Sequence, residues 1–130
     1  MSNLNDAMRI SSSGLSVERF RLDTISSNIA NANSVGVNGQ DPYRRRDVAV
    51  VGGTDGPHIA GVVEDQTPFR VVHEPGNPLA DNNGNVTYSN VEPVQEMVNM
   101  MGASRAYEAN VAAFTAAKGM VQSALNIGKV

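Results

Sequence analysis

The chain contains no cysteine, which excludes disulfide bonds, thiolate metal sites and a cysteine nucleophile. It also lacks an excess of positive charge. A formal net charge of −3 does not suit a general polyanion binder. The one basic run, Arg44-Arg45-Arg46, is local, and nucleic acid would need a wider basic surface. No long hydrophobic run occurs. The longest, "ANVAAFTAA" at 109–117, is far too short to cross a bilayer, so no membrane-spanning segment is expected. The opening "MSNLNDAMRISSSG" has no basic stretch leading into an apolar core, so no cleavable secretory signal is expected.

Catalytic patterns are missing as well. There is no G-x-S-x-G elbow, phosphate loop or dinucleotide fingerprint. His58 and His73 have no second ligand at helical spacing, and neighbouring Glu64 and Asp65 would point to opposite faces of a strand. Asp81, Asn83, Asn85, Thr87, Ser89 and Glu92 follow the oxygen spacing of a calcium loop. That loop needs glycine at its sixth position, where Val86 stands here, so a turn built on Asn83-Gly84 is the better account. The residues point to no enzyme, catalytic group, cofactor or metal.

What is present is apolar periodicity at both ends. A length of 130 residues suits one modest domain. Positions 4, 8, 11, 15, 18, 22, 25 and 29 follow heptad spacing, and six of the eight are large and apolar: Leu4, Met8, Leu15, Leu22, Ile25 and Ile29. This predicts a helix over about 3–31, frayed or bent at the weak helix formers Ser11-Ser12-Ser13-Gly14. Met100, Ala103, Tyr107, Asn110, Phe114, Ala117, Val121 and Ala124 repeat the spacing near the other end. Here a helix is predicted over 90–127, capped by Asn90, with Pro93 in its first turn and Gly128 after its end.

Between the helices the period changes. "YRRRDVAVV" at 43–51, "HIAGVVED" at 58–65, "FRVVH" at 69–73 and "NVTY" at 85–88 read as short strands bounded by turn residues. The expected fold is mainly α with a small β region. The segments are 1–33 (N-terminal helix), 34–89 (β-rich insertion with a short hairpin) and 90–130 (C-terminal helix), the two helices pairing in coiled-coil fashion. A helix over 90–127 would be roughly 57 Å long at ~1.5 Å per residue. A globule of this chain length is only about 36 Å across. Its apolar surface therefore needs other copies or partners, which points to an assembly subunit.

The residues expected at subunit contacts follow from this. They are the seam positions Leu15, Leu22, Ile25, Ile29, Met100, Tyr107, Phe114 and Val121, with Ser104, Arg105 and Glu108 on neighbouring faces. Asn110 within the seam would fix register or partner number, as a buried amide does in a coiled coil. Arg44 and Arg46 would share a strand face with Val48 and Val50, either exposed or forked onto a carboxylate of another subunit. Asn28, Asn31 and Asn33 would bond free carbonyls of their own helix end or of an adjacent subunit. A soluble adaptor or export chaperone, holding a client through amphipathic helices, is the alternative.

"ISSNIANANS" resembles the N-terminal signature of the flagellar axial proteins, the family of rod and hook subunits, with Ser27 and Ser34 replacing an asparagine and a threonine. "PYRRRDV", "VVEDQTPFRVVHEPGNPLAD", "GNVTYSNVEPVQEMVNMM" and "ASRAYEANV" extend the likeness in order along most of the chain. The short length is similar to that of the proximal-rod members. The resemblance implies a rod subunit of the basal body, a periplasmic drive shaft carrying torque from the membrane ring to the hook. It implies export from the cytoplasm through the flagellar type III apparatus without a cleaved signal, and polymerisation beneath a rod cap. The implied partners are further copies of the chain, the rod proteins FlgB, FlgF and FlgG, and FliE with the MS ring at the base. By the same resemblance, the terminal helices line a central channel and the β region makes lateral contacts. An isolated chain is expected to keep only the middle, about 42–88, folded.

Overall fold

A computed structural model describes residues 2–129; Met1 and Val130, the outermost residues of the expected terminal segments, lie outside it. Two long helices enclose four short strands in the order α1 (Ser2–Ala30), β1 (Arg46–Gly53), β2 (Gly56–Glu64), β3 (Arg70–His73), β4 (Asn85–Tyr88) and α2 (Pro93–Ile127). This is the mainly helical architecture with a β insertion that the periodicity predicts. α2 opens on its proline, which has no N–H to leave unpaired in the first turn.

The chain divides into two compact units, and each draws on both helices. One contains the residues up to Leu22, Val48–Gly61 and the residues from Met101 onward; the other contains Asp23–Asp47 and Val62–Met100.

In the first unit the helices approach through small side chains. Ser11, Gly14 and Val17 are the buried positions of α1, with Ala103 and Ala117 on α2. The deepest line of α1 thus runs one position aside from the expected Leu15 and Glu18, which are half-buried. Seven-residue spacing persists on α2, where half-buried Asn110 sits midway between the two alanines. A β-carbon on Gly14 would fall 2.8 to 3.0 Å from the Asn110 amide, so the glycine is what lets Asn110 lie against α1. The Asn110 Nδ2 donates to the Ala106 carbonyl of its own helix at 3.0 Å. The predicted fray at Ser11-Gly14 does not occur; α1 runs unbroken through it. Tertiary contacts outweigh the weak local propensity there. Ser13 Oγ donates to the Pro57 carbonyl, Arg9 reaches Asp55 at 3.0 Å, and Gly56 packs on Ile10 and Ser13. Gly56 has φ +106°, and a β-carbon there would come within 3.1 Å of Ser13.

In the second unit β3 and β4 pair antiparallel, Val72 opposite Val86. Residues 34–36 add a third, irregular edge: Gly36 N–H donates to the Thr87 carbonyl at 2.9 Å, and Ser89 N–H to the Ser34 carbonyl at 3.0 Å. Val86 is fully enclosed, and Ile25, Ala32 and Val91 are buried. The calcium spacing does not form a loop, because β4 takes up residues 85–88 in extended form. One Asp81 oxygen is occupied by the N–H groups of Asn83 and Asn85, each at 2.9 Å.

Gly14→Ala should lower the urea midpoint of the chain, a loss of about 1 kcal/mol in unfolding free energy, although alanine is the better helix former by about that much. Adding Asn110→Ala should return the loss, because it removes the group the new methyl strikes. Simple additivity of the two changes in a double-mutant cycle would refute the Gly14–Asn110 contact.

Candidate functional site

The three amides at the end of α1 have different tasks. Asn28 is completely buried. Its Nδ2 donates to the main-chain carbonyl of Arg46 at 2.8 Å and to Glu96 Oε2 at 3.1 Å. Its Oδ1 accepts from the Arg46 N–H at 3.0 Å and from the Tyr43 hydroxyl at 2.8 Å. An amide has two N–H donors and two acceptor lone pairs, so all of its capacity is used inside the chain. Asn28, expected to bond carbonyls of its own helix end or of an adjacent subunit, bonds Tyr43, Arg46 and Glu96 within the chain. Asn31 turns back on its own helix end, Nδ2 donating to the Ser27 carbonyl at 2.8 Å. Asn33 is exposed at the rim of an open cleft of about 540 Å³, with Arg70, Val91 and Val94.

Glu96, in the first turn of α2, is also fully buried, and its second oxygen accepts from Arg45 Nε. Arg45 Nη1 lies 3.5 Å from Asp65 and 3.8 Å from Asp47. Burial lowers the Arg45 pKa, but the hydrogen bond and charge of Glu96, helped by both aspartates, outweigh it and leave the guanidinium more firmly protonated. Burial also raises the Tyr43 pKa, keeping a neutral hydroxyl to donate to Asn28.

Asn90 does not cap α2. Its Oδ1 accepts from the Arg45 N–H at 2.7 Å, and its Nδ2 donates to the carbonyls of Asp65 at 3.0 Å and Thr67 at 3.1 Å. The amide is spent on the segment before β1, and α2 starts only at Pro93. Arg44 bonds the same two carbonyls and stacks 4.1 Å from the Phe69 ring centre. Arg46 is exposed, 5.4 Å over Tyr43. β1 begins at Arg46, so Arg44 and Arg45 precede the strand that was expected to carry them.

The other expected contact positions fall into two groups. Ile25 is buried, and Leu15, Leu22, Ile29, Met100, Ser104, Tyr107, Asn110, Phe114 and Val121 are half-buried within the chain itself. Arg105 and Glu108 are exposed. The most exposed apolar side chains on the first turns of α2 lie elsewhere. Val94, Met97, Val98 and Met101 are each more than half exposed, at the spacing of one helix face. A search for a single seam passes over that face. Among the described residues no helix is long and apolar enough to cross a membrane, and no cluster of three or more ligating side chains is placed to hold a metal.

That face of α2 leaves large apolar side chains open to solvent, and similarity to known proteins bears on its use. The family described as flagella basal body rod protein matches residues 8–36, and that described as flagellar basal body rod FlgEFG protein C-terminal matches 82–127. The flagellar basal-body rod protein FlgC of Salmonella typhimurium is 45% identical over 127 residues, covering 92% of this chain and 94% of its own. The chain belongs to the FlgC family of flagellar basal-body rod proteins. The FlgC of Bacillus subtilis is 36% identical over 95% of this chain and 97% of its own, and that of Agrobacterium fabrum 38% identical over 99% and 98%. For this FlgC-family chain the first matched segment contains Asn28 and the second contains Asn90 and Glu96, so the buried junction draws on both.

Two carboxylates of the second unit set its response to acid. The N–H and hydroxyl of Thr67 hold the Asp65 carboxyl below its ordinary range, against burial and with help from Arg45. Hydrogen bonds from Asn77 and Tyr88 do the same for Glu74. A depressed carboxyl pKa contributes stability above the unfolded value, about 4, and loses it as pH falls through the folded value. The urea midpoint should be flat from about pH 7 to 5 and fall below about pH 4. Asp65→Asn combined with Glu74→Gln should flatten that fall; an unchanged acid limb would contradict these assignments.

Proposed function

We infer that the chain is a structural subunit of the flagellar basal-body rod, carrying no reaction of its own. Similarity to rod proteins along nearly the whole length carries this reading. The exposed apolar face of α2 agrees with it, since a chain working alone has little use for four large bare side chains on adjacent turns. The adaptor or export chaperone alternative is not favoured by relatives of this kind.

The chain is exported from the cytoplasm by the flagellar type III apparatus without a cleaved signal and adds to the growing rod beneath its cap. There it sits in the periplasmic, proximal part of the shaft that carries torque to the hook. Its neighbours are further copies, FlgB, FlgF and FlgG, with FliE and the MS ring at the base. The terminal segments, 1–33 and 90–130, form the inner part and 34–89 the lateral contacts. The exposed Asn33, Arg46, Arg105 and Glu108 are the contact residues of the expected set that remain free to face a neighbour. Met97, Val98 and Met101 join them.

Complementation of a strain lacking this protein tests the assembly role. Met97→Asp with Val98→Asp should leave the isolated chain folded, because both side chains already face water, yet abolish swimming and completed rods. Leu22→Asp, at a half-buried position, should lose completed rods while the protein is still made, since a charge set into an apolar contact is strongly unfavourable. Normal swimming with the Met97/Val98 double variant would remove that face from the assembly.

A further inference from the structure

We propose that the Asn28–Arg45–Glu96 cluster is a latch that folds the junction of the two helices within a single chain, ahead of any assembly. It does not rest on the rod reading. Three segments far apart in sequence end at one point: Asn28 from the end of α1, residues 43–46 before and at the start of β1, and Glu96 from the start of α2. Each is needed to satisfy another. Asn28 holds both main-chain groups of Arg46, as a strand edge would, and the same Nδ2 reaches Glu96. Glu96 is enclosed as a charge, and Arg45 is its cation. None of the three can be buried alone without leaving a donor, an acceptor or a charge unpaired.

The consequence is a boundary. The compact unit around the latch takes in residues 23–47 and 62–100, so it includes the last turns of α1 and the first turns of α2. The folded part of an isolated chain therefore reaches well past the expected limits of 42 and 88 on both sides. The helical arms beyond it belong to the other compact unit, meet through small residues and leave Ile10, Met120, Leu125 and Ile127 exposed, so in this proposal they are held less firmly than the latch. Helix formed at the latch supplies the nucleus from which each arm extends when a neighbour covers it, removing the slow step of helix formation.

Amide hydrogen exchange on the full-length chain, at a concentration where light scattering reports a monomer, tests this. Residues 25–30 and 97–100 should exchange at least about tenfold more slowly than residues 5–15 and 110–120. Glu96→Gln, which keeps the shape and removes the charge, should speed both junction segments together by about tenfold. Asn28→Asp, which sets a second carboxylate against Glu96, should give the same paired loss. Arg46→Ala keeps the main-chain groups that Asn28 holds and should leave both segments within about twofold of the parent. Absent junction protection in the parent, or protection uniform along α2, overturns the latch. So does a variant that loosens one segment and spares the other, an inert Glu96→Gln, or an Arg46→Ala as damaging as Glu96→Gln.

Discussion

One asparagine side chain sets much of what surrounds it. The Asn28 amide bonds both the N–H and the carbonyl of Arg46, so it places the first residue of β1 against α1 as a paired strand would. Its remaining donor and acceptor capacity ties in Glu96 and Tyr43. Burying these groups is tolerable only because every one is paired. A buried donor or acceptor left alone costs about 1–3 kcal/mol, and removing one partner of a buried ion pair costs about 3–5 kcal/mol. Geometry is therefore specified here more sharply than stability is raised.

That balance separates this ion pair from others in the chain. Arg9 with Asp6 and Asp55 makes pairs on side chains at least half exposed, worth about 0–1 kcal/mol each. Arg45 and Glu96 meet where water is excluded from the carboxylate. Losing the arginine would strand a charge, whereas losing Arg9 would release two solvated ones. The first unit relies on different physics: Ser11, Gly14, Val17, Ala103 and Ala117 hold helices together by close approach, with little apolar area per contact.

A subunit of a polymer benefits from this arrangement. α2 has 35 residues, about 52 Å at 1.5 Å per residue, and it is apolar on more than the side its own chain covers. Surface left bare in one chain is available to the next. The arms keep exposed apolar side chains, Met120, Leu125 and Ile127 among them, for neighbours.

How much of this was legible in the residues varies with the range of the interaction. Heptad spacing from Leu4 to Ile29 and from Met100 to Ala124 determined two long helices, because helical neighbours lie three and four apart in the chain itself. Valine-rich stretches between turn residues determined four short strands for the same local reason. Arg45 stood out in the sequence only as part of the basic run 44–46. Its union with Glu96 was not visible, since 51 positions separate them and a lone acid among Val94, Met97 and Val98 has no local pattern. Asn90 looked like a helix cap, and Asn28 like a contact for another chain, because an amide's partners cannot be read from its neighbours in sequence. Gly14 looked like a weakness in α1 until Asn110 was found lying against it. Periodicity belongs to the sequence; which polar groups bury one another depends on the distant segments that tertiary folding brings together.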